Sequence, residues 1–237
     1  VDIKGTVMNR LICAFLLFMC FGCNVGLPTK DITLQLLPAT VRISVKETKS
    51  GSFIHVGSGW LHGNNHTILT AKHVVDGYDE TVKINNSVSS IVRKPYYLIA
   101  VTFNNGSQFI VDNLKTSKFV DVAVLTINKN SNKSKIVPLQ FATERPSIGQ
   151  KILGAGFPFE YDCLLLSGTI TGWHIEKNTV FEGEYLVTNA MFAPGNSGGP
   201  IVNSSGEVVG MVSWIDRRGP ALSFAIPFDV IQKATKE

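Results

Sequence analysis

Cysteine is scarce where a disulfide framework would need it. Four occur in 237 residues: Cys13, Cys20, Cys23 and Cys163. The first three lie in or at the end of an N-terminal apolar segment. Only Cys163 remains for the body, so no disulfide framework holds the fold. A chain of this length can stabilise itself by burial alone. Runs of like charge are missing too. Lysine and arginine are scattered, with no block of five or six, and the formal net charge is +4. That excludes a nucleic-acid footprint. No apolar run reaches the roughly 20 residues of a membrane-crossing helix. Repeats and low-complexity tracts are absent. Amphipathic helix patterns are nearly absent: outside the N-terminal segment, only the last stretch reads as helix. Pro227 opens it, and Val230, Ile231 and Ala234 supply its apolar side.

The apolar run that does exist is Leu11 to Phe21, LICAFLLFMCF. Its length is that of a signal-peptide core, roughly 7–15 residues, and Met8-Asn9-Arg10 supplies a start and a positive charge ahead of it. Phe21-Gly22-Cys23 is similar to the end of a bacterial lipoprotein signal. Two fates fit: lipidation at Cys23, or simple secretion. Val1 to Val7 precede Met8, which keeps a phage or polyprotein origin as a variant.

Beyond Cys23 the chain is a series of short apolar or alternating segments divided by Gly, Asn and Ser turns. Strands are expected over Thr40–Val45, Leu98–Phe103, Asp121–Ile127, Lys151–Ala155, Leu164–Thr171, Glu184–Asn189, Ile201–Val202, Val208–Trp214 and Ala221–Ile226. Asn203-Ser204-Ser205-Gly206 reads as a hairpin turn. Asn128 to Ser134, NKNSNKS, is a polar break. The fold class is therefore all-β in two halves, and two antiparallel six-stranded barrels suit the strand count. The chain divides into a leader over 1–23, an N-terminal barrel over 34–135, and a C-terminal barrel with its terminal helix over 147–237.

One segment is too expensive for a plain turn. Ala193 to Pro200, APGNSGGP, sets one serine among three glycines and two prolines. A serine hydroxyl is a weak nucleophile unless a base lies within hydrogen-bond reach and a third group orients that base. The oxyanion that forms needs preorganised donors, which backbone N–H groups provide. Gly195 can aim its N–H at the same point as the N–H of Ser197, and Gly198 and Gly199 leave room for neighbouring backbone. Five histidines are available as the base. His62 and His66 fall in a polar turn and read as solvated. His55 and His174 fall in strands without special neighbours. His73 follows the apolar strand ILTAK. Asp121 opens DVAVLTI, where an unpaired buried carboxylate would be costly. The residues alone leave it either a buried partner of His73 or an exposed strand start. Cys163, in YDCLLLSG, reads as a buried strand residue rather than a nucleophile.

TAKHVV, VDVAVL and APGNSGGP, in that order, resemble the His, Asp and Ser motifs of chymotrypsin-fold serine peptidases. TNAMFAPGNSGGPIV, GAGFPF (Gly154 to Phe159) and FAIP (Phe224 to Pro227) are similar to segments of the HtrA (DegP-like) branch. The resemblance runs from about Ile43 to Ile231. It implies two chymotrypsin-type barrels and a serine endopeptidase with catalytic His73, Asp121 and Ser197. It also implies an oxyanion hole from the N–H groups of Gly195 and Ser197, protein or peptide substrates, and no metal or cofactor. Ser213 is then expected to hydrogen-bond Asp121. Ser213, Trp214 and Ile215 border the primary pocket, and Met191 stands where trypsin carries its charged pocket residue. An uncharged Met191 and a bulky Ile215 imply small or medium apolar residues at P1. The path of the loop from Asp216 to Pro220 bears on this.

Departures from the family pattern matter. Asn196 replaces the Asp that trypsin zymogens place before the serine, so activation by N-terminal insertion is not expected. Ten residues follow Pro227, so the PDZ domains usual in the HtrA branch, and their regulation, are not expected of this sequence. The resemblance implies a homo-oligomer. In the segment 24–39, Leu34, Leu36 and Leu37 fit packing either against a neighbour or against their own barrel. Leader and resemblance together imply an exported protein, periplasmic, lipid-anchored or secreted, of bacterial or phage origin. A peptidase fold reused as a catalytically silent binding protein is the alternative function.

Overall fold

Val41, Ile43 and Val45 alternate along the first strand and are all fully buried, so one face of that strand is committed to a core. The computed structural model describes residues 30–84, 88–128, 136–177, 182–216 and 222–236. The leader, Cys23 and most of the loop after Asp216 lie outside the described residues. One barrel is closed by β1 (Thr40–Lys46), β2 (Ile54–Leu61), β3 (Thr67–Thr70), β6 (Leu98–Phe103), β7 (Gln108–Thr116) and β8 (Ala123–Ile127), in the order β1-β2-β3-β8-β7-β6. Between β3 and β6 stands a separate two-stranded sheet, β4 (Tyr78–Ile84) with β5 (Val88–Lys94). The second barrel is built from β9 (Lys151–Gly156), β10 (Leu164–Glu176), β11 (Gly183–Thr188), β12 (Pro200–Val202), β13 (Val208–Asp216) and β14 (Leu222–Pro227), in the order β10-β11-β14-β13-β12-β9. This is the all-β, two-barrel architecture expected from the sequence.

The first core centres on Trp60, Ile43, Ile68 and Leu125, and it runs on into the second barrel through Leu153 and Met211. Burying each large apolar side chain contributes about 1.5–3 kcal/mol, and this continuity couples the two barrels. The turn from Asn203 to Gly206 forms as expected: Gly206 has φ +78° and its N–H donates to the Asn203 carbonyl at 3.1 Å.

Two helices flank the barrels. The C-terminal one, α3 (Phe228–Ala234), follows Pro227 as expected, with Phe228, Ile231 and Ala234 buried. The other was not expected. Lys30–Ala39 forms a ten-residue helix, α1. Ile32 and Leu36, one turn apart, bury into the first core, while Leu34 is 63% exposed. The Thr40 hydroxyl donates to the Leu36 carbonyl at 2.8 Å and ties the helix end to β1. Leu36 therefore packs against its own barrel, and Leu34 does not. Pro38 and a buried face of only Ile32, Leu36 and Ala39 give too weak a period for the sequence pattern to announce the helix.

Cys163 lies just ahead of β10 as the one described cysteine, and it is partly buried against the core. Burial raises its pKa from 9.0 to about 12. Iodoacetamide at pH 8 should therefore alkylate it about a thousandfold more slowly than the same thiol in the urea-unfolded chain. Its retained proton adds no pH dependence to stability below pH 9. Stability then falls from pH 9 toward 12, where the unfolded chain releases a proton that the fold keeps.

Candidate active site

β3 and β8 are antiparallel neighbours, with Thr70 opposite Ala123. The chain leaves β3 into a single helical turn, α2 (Lys72–Val75), which carries His73. Asp121 lies two residues ahead of β8, in a bend rather than in the strand. This pairing brings them together. The Asp121 carboxylate accepts from the His73 backbone N–H at 2.9 Å and faces His73 Nδ1 at 2.7 Å. It also accepts from the Ser213 hydroxyl at 2.7 Å. Asp121 is 1% exposed, and these three partners account for its burial. An ionised carboxylate only accepts, so Nδ1 carries the ring proton. Nε2 is left with a free lone pair on a ring that is 40% exposed.

Ser197 comes from the second barrel, on the turn between β11 and β12. Its backbone carbonyl accepts from the Ser58 N–H of β2 at 2.8 Å, a bond that joins the two barrels at the site. The Ser197 hydroxyl donates to the Ser213 carbonyl at 3.1 Å. Among the described residues it has no hydrogen bond to His73. Ser197, Ser213, Asp121 and His73 thus form one linked chain, with the Ser197 hydroxyl parked on the backbone beside it.

Close contacts explain the glycines. Gly195 has φ +97°, and a Cβ there would collide with the Phe157 carbonyl oxygen. At Gly198, with φ +84°, a Cβ would collide with Thr70 Oγ1 and the Ser58 carbonyl. The Pro194 carbonyl accepts from the Phe159 N–H at 3.0 Å. Across a trans peptide, C=O and N–H point in opposite directions, so this bond turns the Gly195 N–H away from Phe159. Among the described residues, neither the Gly195 nor the Ser197 N–H has a hydrogen-bond partner.

The expected pocket residues separate. Trp214, half-buried on β13, stacks flat on Phe224 of β14, with ring centroids 3.7 Å apart and planes at 3°. Ile215 pairs across the same strands with Ser223, whose hydroxyl donates to the Ala190 carbonyl at 2.8 Å. Ser213 is 4% exposed, and its hydroxyl is committed to Asp121. Met191 is 71% exposed and does not form a buried pocket floor.

Three histidines differ from expectation, among them His174, whose Nε2 lies 3.5 Å from a Glu176 carboxylate oxygen and whose ring meets Phe224 edge-on at 5.4 Å. His62 is not a solvated loop residue. Its ring lies 4.3 Å from that of Phe141, its Nδ1 faces the Leu139 carbonyl at 3.0 Å, and burial lowers its pKa. His55 does have special neighbours: Nε2 faces the Phe157 carbonyl at 2.6 Å and Nδ1 the Ile43 carbonyl at 3.1 Å. Ser58 was also missed. Its hydroxyl donates to the Gly195 carbonyl at 2.7 Å and accepts from the Phe157 N–H at 2.9 Å. The His55–Phe157, Ser58–Gly195 and Ser58–Phe157 contacts span 99 to 137 residues, a distance across which no local pattern signals contact.

The family model of the trypsin-like peptidase domain matches residues 57–211. The chain belongs to the trypsin-like peptidases. Among curated proteins, it is 32% identical over 191 residues to a probable periplasmic DegP-like serine endoprotease of Pseudomonas savastanoi pv. phaseolicola, covering 78% of this chain and 34% of that protein. It is 30% identical over 178 residues to a protein of the same description from Halomonas elongata, covering 74% of this chain and 33% of the other. The chain thus spans about a third of the length of these relatives. Among solved structures, the active form of the Rv3671c protease from M. tuberculosis superposes with a TM-score of 0.69 at 16% identity, covering 89% of this chain and 87% of that one. An HtrA-type protease, AlgW, gives 0.68 at 20% identity, covering 87% of this chain and 62% of that one. The two-barrel fold of this trypsin-like peptidase is the chymotrypsin-like one, and its relatives lie on the HtrA/DegP side of the family.

Proposed function

We propose that the chain is a serine endopeptidase that works through an acyl-enzyme on Ser197. The observation that carries this is the linked set Ser197–Ser213–Asp121–His73, with the Nε2 lone pair of His73 left unused. Rotation about one staggered side-chain bond takes the Ser197 hydroxyl from the Ser213 carbonyl toward His73. His73 Nε2 then accepts the hydroxyl proton as Oγ bonds to the scissile carbonyl carbon. The oxyanion is held by the N–H groups of Gly195 and Ser197. His73 returns the proton to the leaving amine as the C–N bond breaks, and water, deprotonated by the same imidazole, releases the acyl group. Asp121 keeps the imidazole in the Nδ1–H form throughout. The chemistry needs no metal or cofactor. A silent binding protein is not favoured, because every group this scheme uses is present.

The substrates we propose are extended protein or peptide segments with small or medium apolar P1 residues. Trp214 and Ile215, both partly buried, support that preference, since a P1 ammonium would find no carboxylate at these positions. Ala-, Val- or Leu-P1 peptides should be cleaved with kcat/KM at least about tenfold above Lys-P1 peptides of the same sequence. Equal rates would reject the preference. The reaction itself is tested with an unfolded protein substrate: the parent chain should degrade it and the Ser197→Ala chain should not. Degradation by both would remove Ser197 from the mechanism.

The DegP-like relatives are named as periplasmic, which supports export here, directed by Leu11 to Phe21. Lipid attachment at Cys23 and assembly into a homo-oligomer complete the proposal. The mass of the mature N-terminus separates a diacylglyceryl-Cys23 from a free terminus.

A further inference from the structure

His55 sits on β2, outside the Ser197, His73 and Asp121 set, and its ring touches the segment that orients the Gly195 N–H. Both ring nitrogens face backbone carbonyl oxygens, which can only accept. The shorter contact, Nε2 to the Phe157 carbonyl at 2.6 Å, requires a proton on Nε2. Both the neutral Nε2–H tautomer and the imidazolium carry one. The Nδ1–H tautomer would set a lone pair against that oxygen.

Phe157 opens an unusual turn. Pro158–Glu160 forms a single 3-10 turn in which Phe159 has φ +49° and Glu160 φ +77°, the two positive-φ residues other than glycine among the described residues. Two consecutive residues in that region are strained and persist only when their surroundings hold them. Those surroundings are side chains of the other barrel. Ser58 accepts from the Phe157 N–H, His55 holds the Phe157 carbonyl, and an Arg42 guanidinium N–H donates to the Tyr161 carbonyl at 2.9 Å. The same turn aims the Phe159 N–H at the Pro194 carbonyl and so orients the Gly195 N–H. A Cβ on Gly195 would meet both the Phe157 carbonyl and His55 Nε2. The imidazole therefore lies directly against the peptide that faces the reacting carbonyl.

We infer that His55 is a positioning residue: its Nε2–H holds the Phe157 carbonyl and, through the strained 157–160 turn, sets the Gly195 N–H in its oxyanion-binding direction. This rests on the peptidase reading above. Losing the tether leaves the nucleophile and its base in place and disturbs an interaction made in the transition state. Removal of an oxyanion donor costs about 10²–10³ in kcat. Its misalignment should cost less, about tenfold or more.

The test has two parts. In kinetics on the full chain, His55→Ala should lower kcat about tenfold or more with KM changed less than about twofold. His55→Gln, whose amide can donate to the same carbonyl, should recover most of that loss. Ala and Gln variants with the parent kcat, or a Gln variant no better than Ala, would overturn the inference. The second part needs no change at His55. In the Ser197→Ala chain, which cannot digest itself, imidazole ¹⁵N spectra at pH 7.5 should show His55 protonated at Nε2. A neutral Nδ1–H ring would overturn the inference even if His55→Ala failed to fold. If the parent neither cleaves substrate nor reacts with a serine-directed probe, the peptidase reading fails instead, and the imidazole spectrum still reports on the tether.

Discussion

Asp121→Asn should lower kcat by about 10⁴-fold while leaving the chain folded. The magnitude is that of the corresponding substitution in trypsin, the worked example of this chemistry. The cause is visible in the donors around the carboxylate. Three of them, the His73 N–H, the His73 ring at Nδ1 and the Ser213 hydroxyl, converge on two oxygens. An asparagine keeps one oxygen and replaces the other with an NH₂ group. If that NH₂ faces His73, the ring must present Nδ1 as an acceptor and move its proton to Nε2. The nitrogen that should take the Ser197 proton then already carries one. Steady-state kinetics on a Val-P1 peptide would measure the loss, and a new Nε2–H resonance of His73 would identify its cause. A loss of tenfold or less would mean that Asp121 contributes packing rather than orientation.

Gly198→Ala should remove activity and destabilise the protein together. At φ +84° an alanine is strained, and its Cβ would run into the Ser58 carbonyl and lie 2.8 Å from the Ala71 backbone nitrogen. Neither neighbour is the loose end of a side chain. Both belong to the rim of the first barrel that carries His73, so relief requires the barrels to separate at the Ser58–Ser197 bond. A cost of about 2–4 kcal/mol corresponds to a Tm lower by roughly 4–16 °C in a chain of this size. An ångström of displacement between Ser197 and His73 would cost about 10²-fold in rate. Gly172→Ala is the matched control. Its Cβ meets nothing within 4 Å, so Tm and kcat should stay near the parent values. Parent-like behaviour of Gly198→Ala would show that the barrels yield more easily than their packing indicates.

The parts of this molecule that were legible in advance are those with local causes. Leu98–Phe103 is a strand over the residues its alternation marks, and α3 starts where Pro227 places it. The cost of APGNSGGP pointed to close backbone approach, and Gly195 and Gly198 show it. What was illegible has causes elsewhere in the chain. His55 reads as an ordinary strand histidine because Phe157, its reason for being there, is 102 residues away. His62 reads as polar loop because Phe141, which covers it, belongs to the segment between the barrels. Met191 occupies the aligned pocket position, but alignment carries no direction for its side chain, which points outward. The α1 helix was missed because its buried residues, Ile32, Leu36 and Ala39, find their partners in barrels that form later in the chain.

The most direct test of the central claim is the intact mass of the folded chain after treatment with a fluorophosphonate, beside Ser197→Ala and Asp121→Asn. One adduct on the parent, none on Ser197→Ala and strongly slowed labelling of Asp121→Asn are predicted, because only a serine activated through His73 attacks the probe. A folded parent that stays unlabelled, or a Ser197→Ala chain that labels as fast as the parent, would contradict the account.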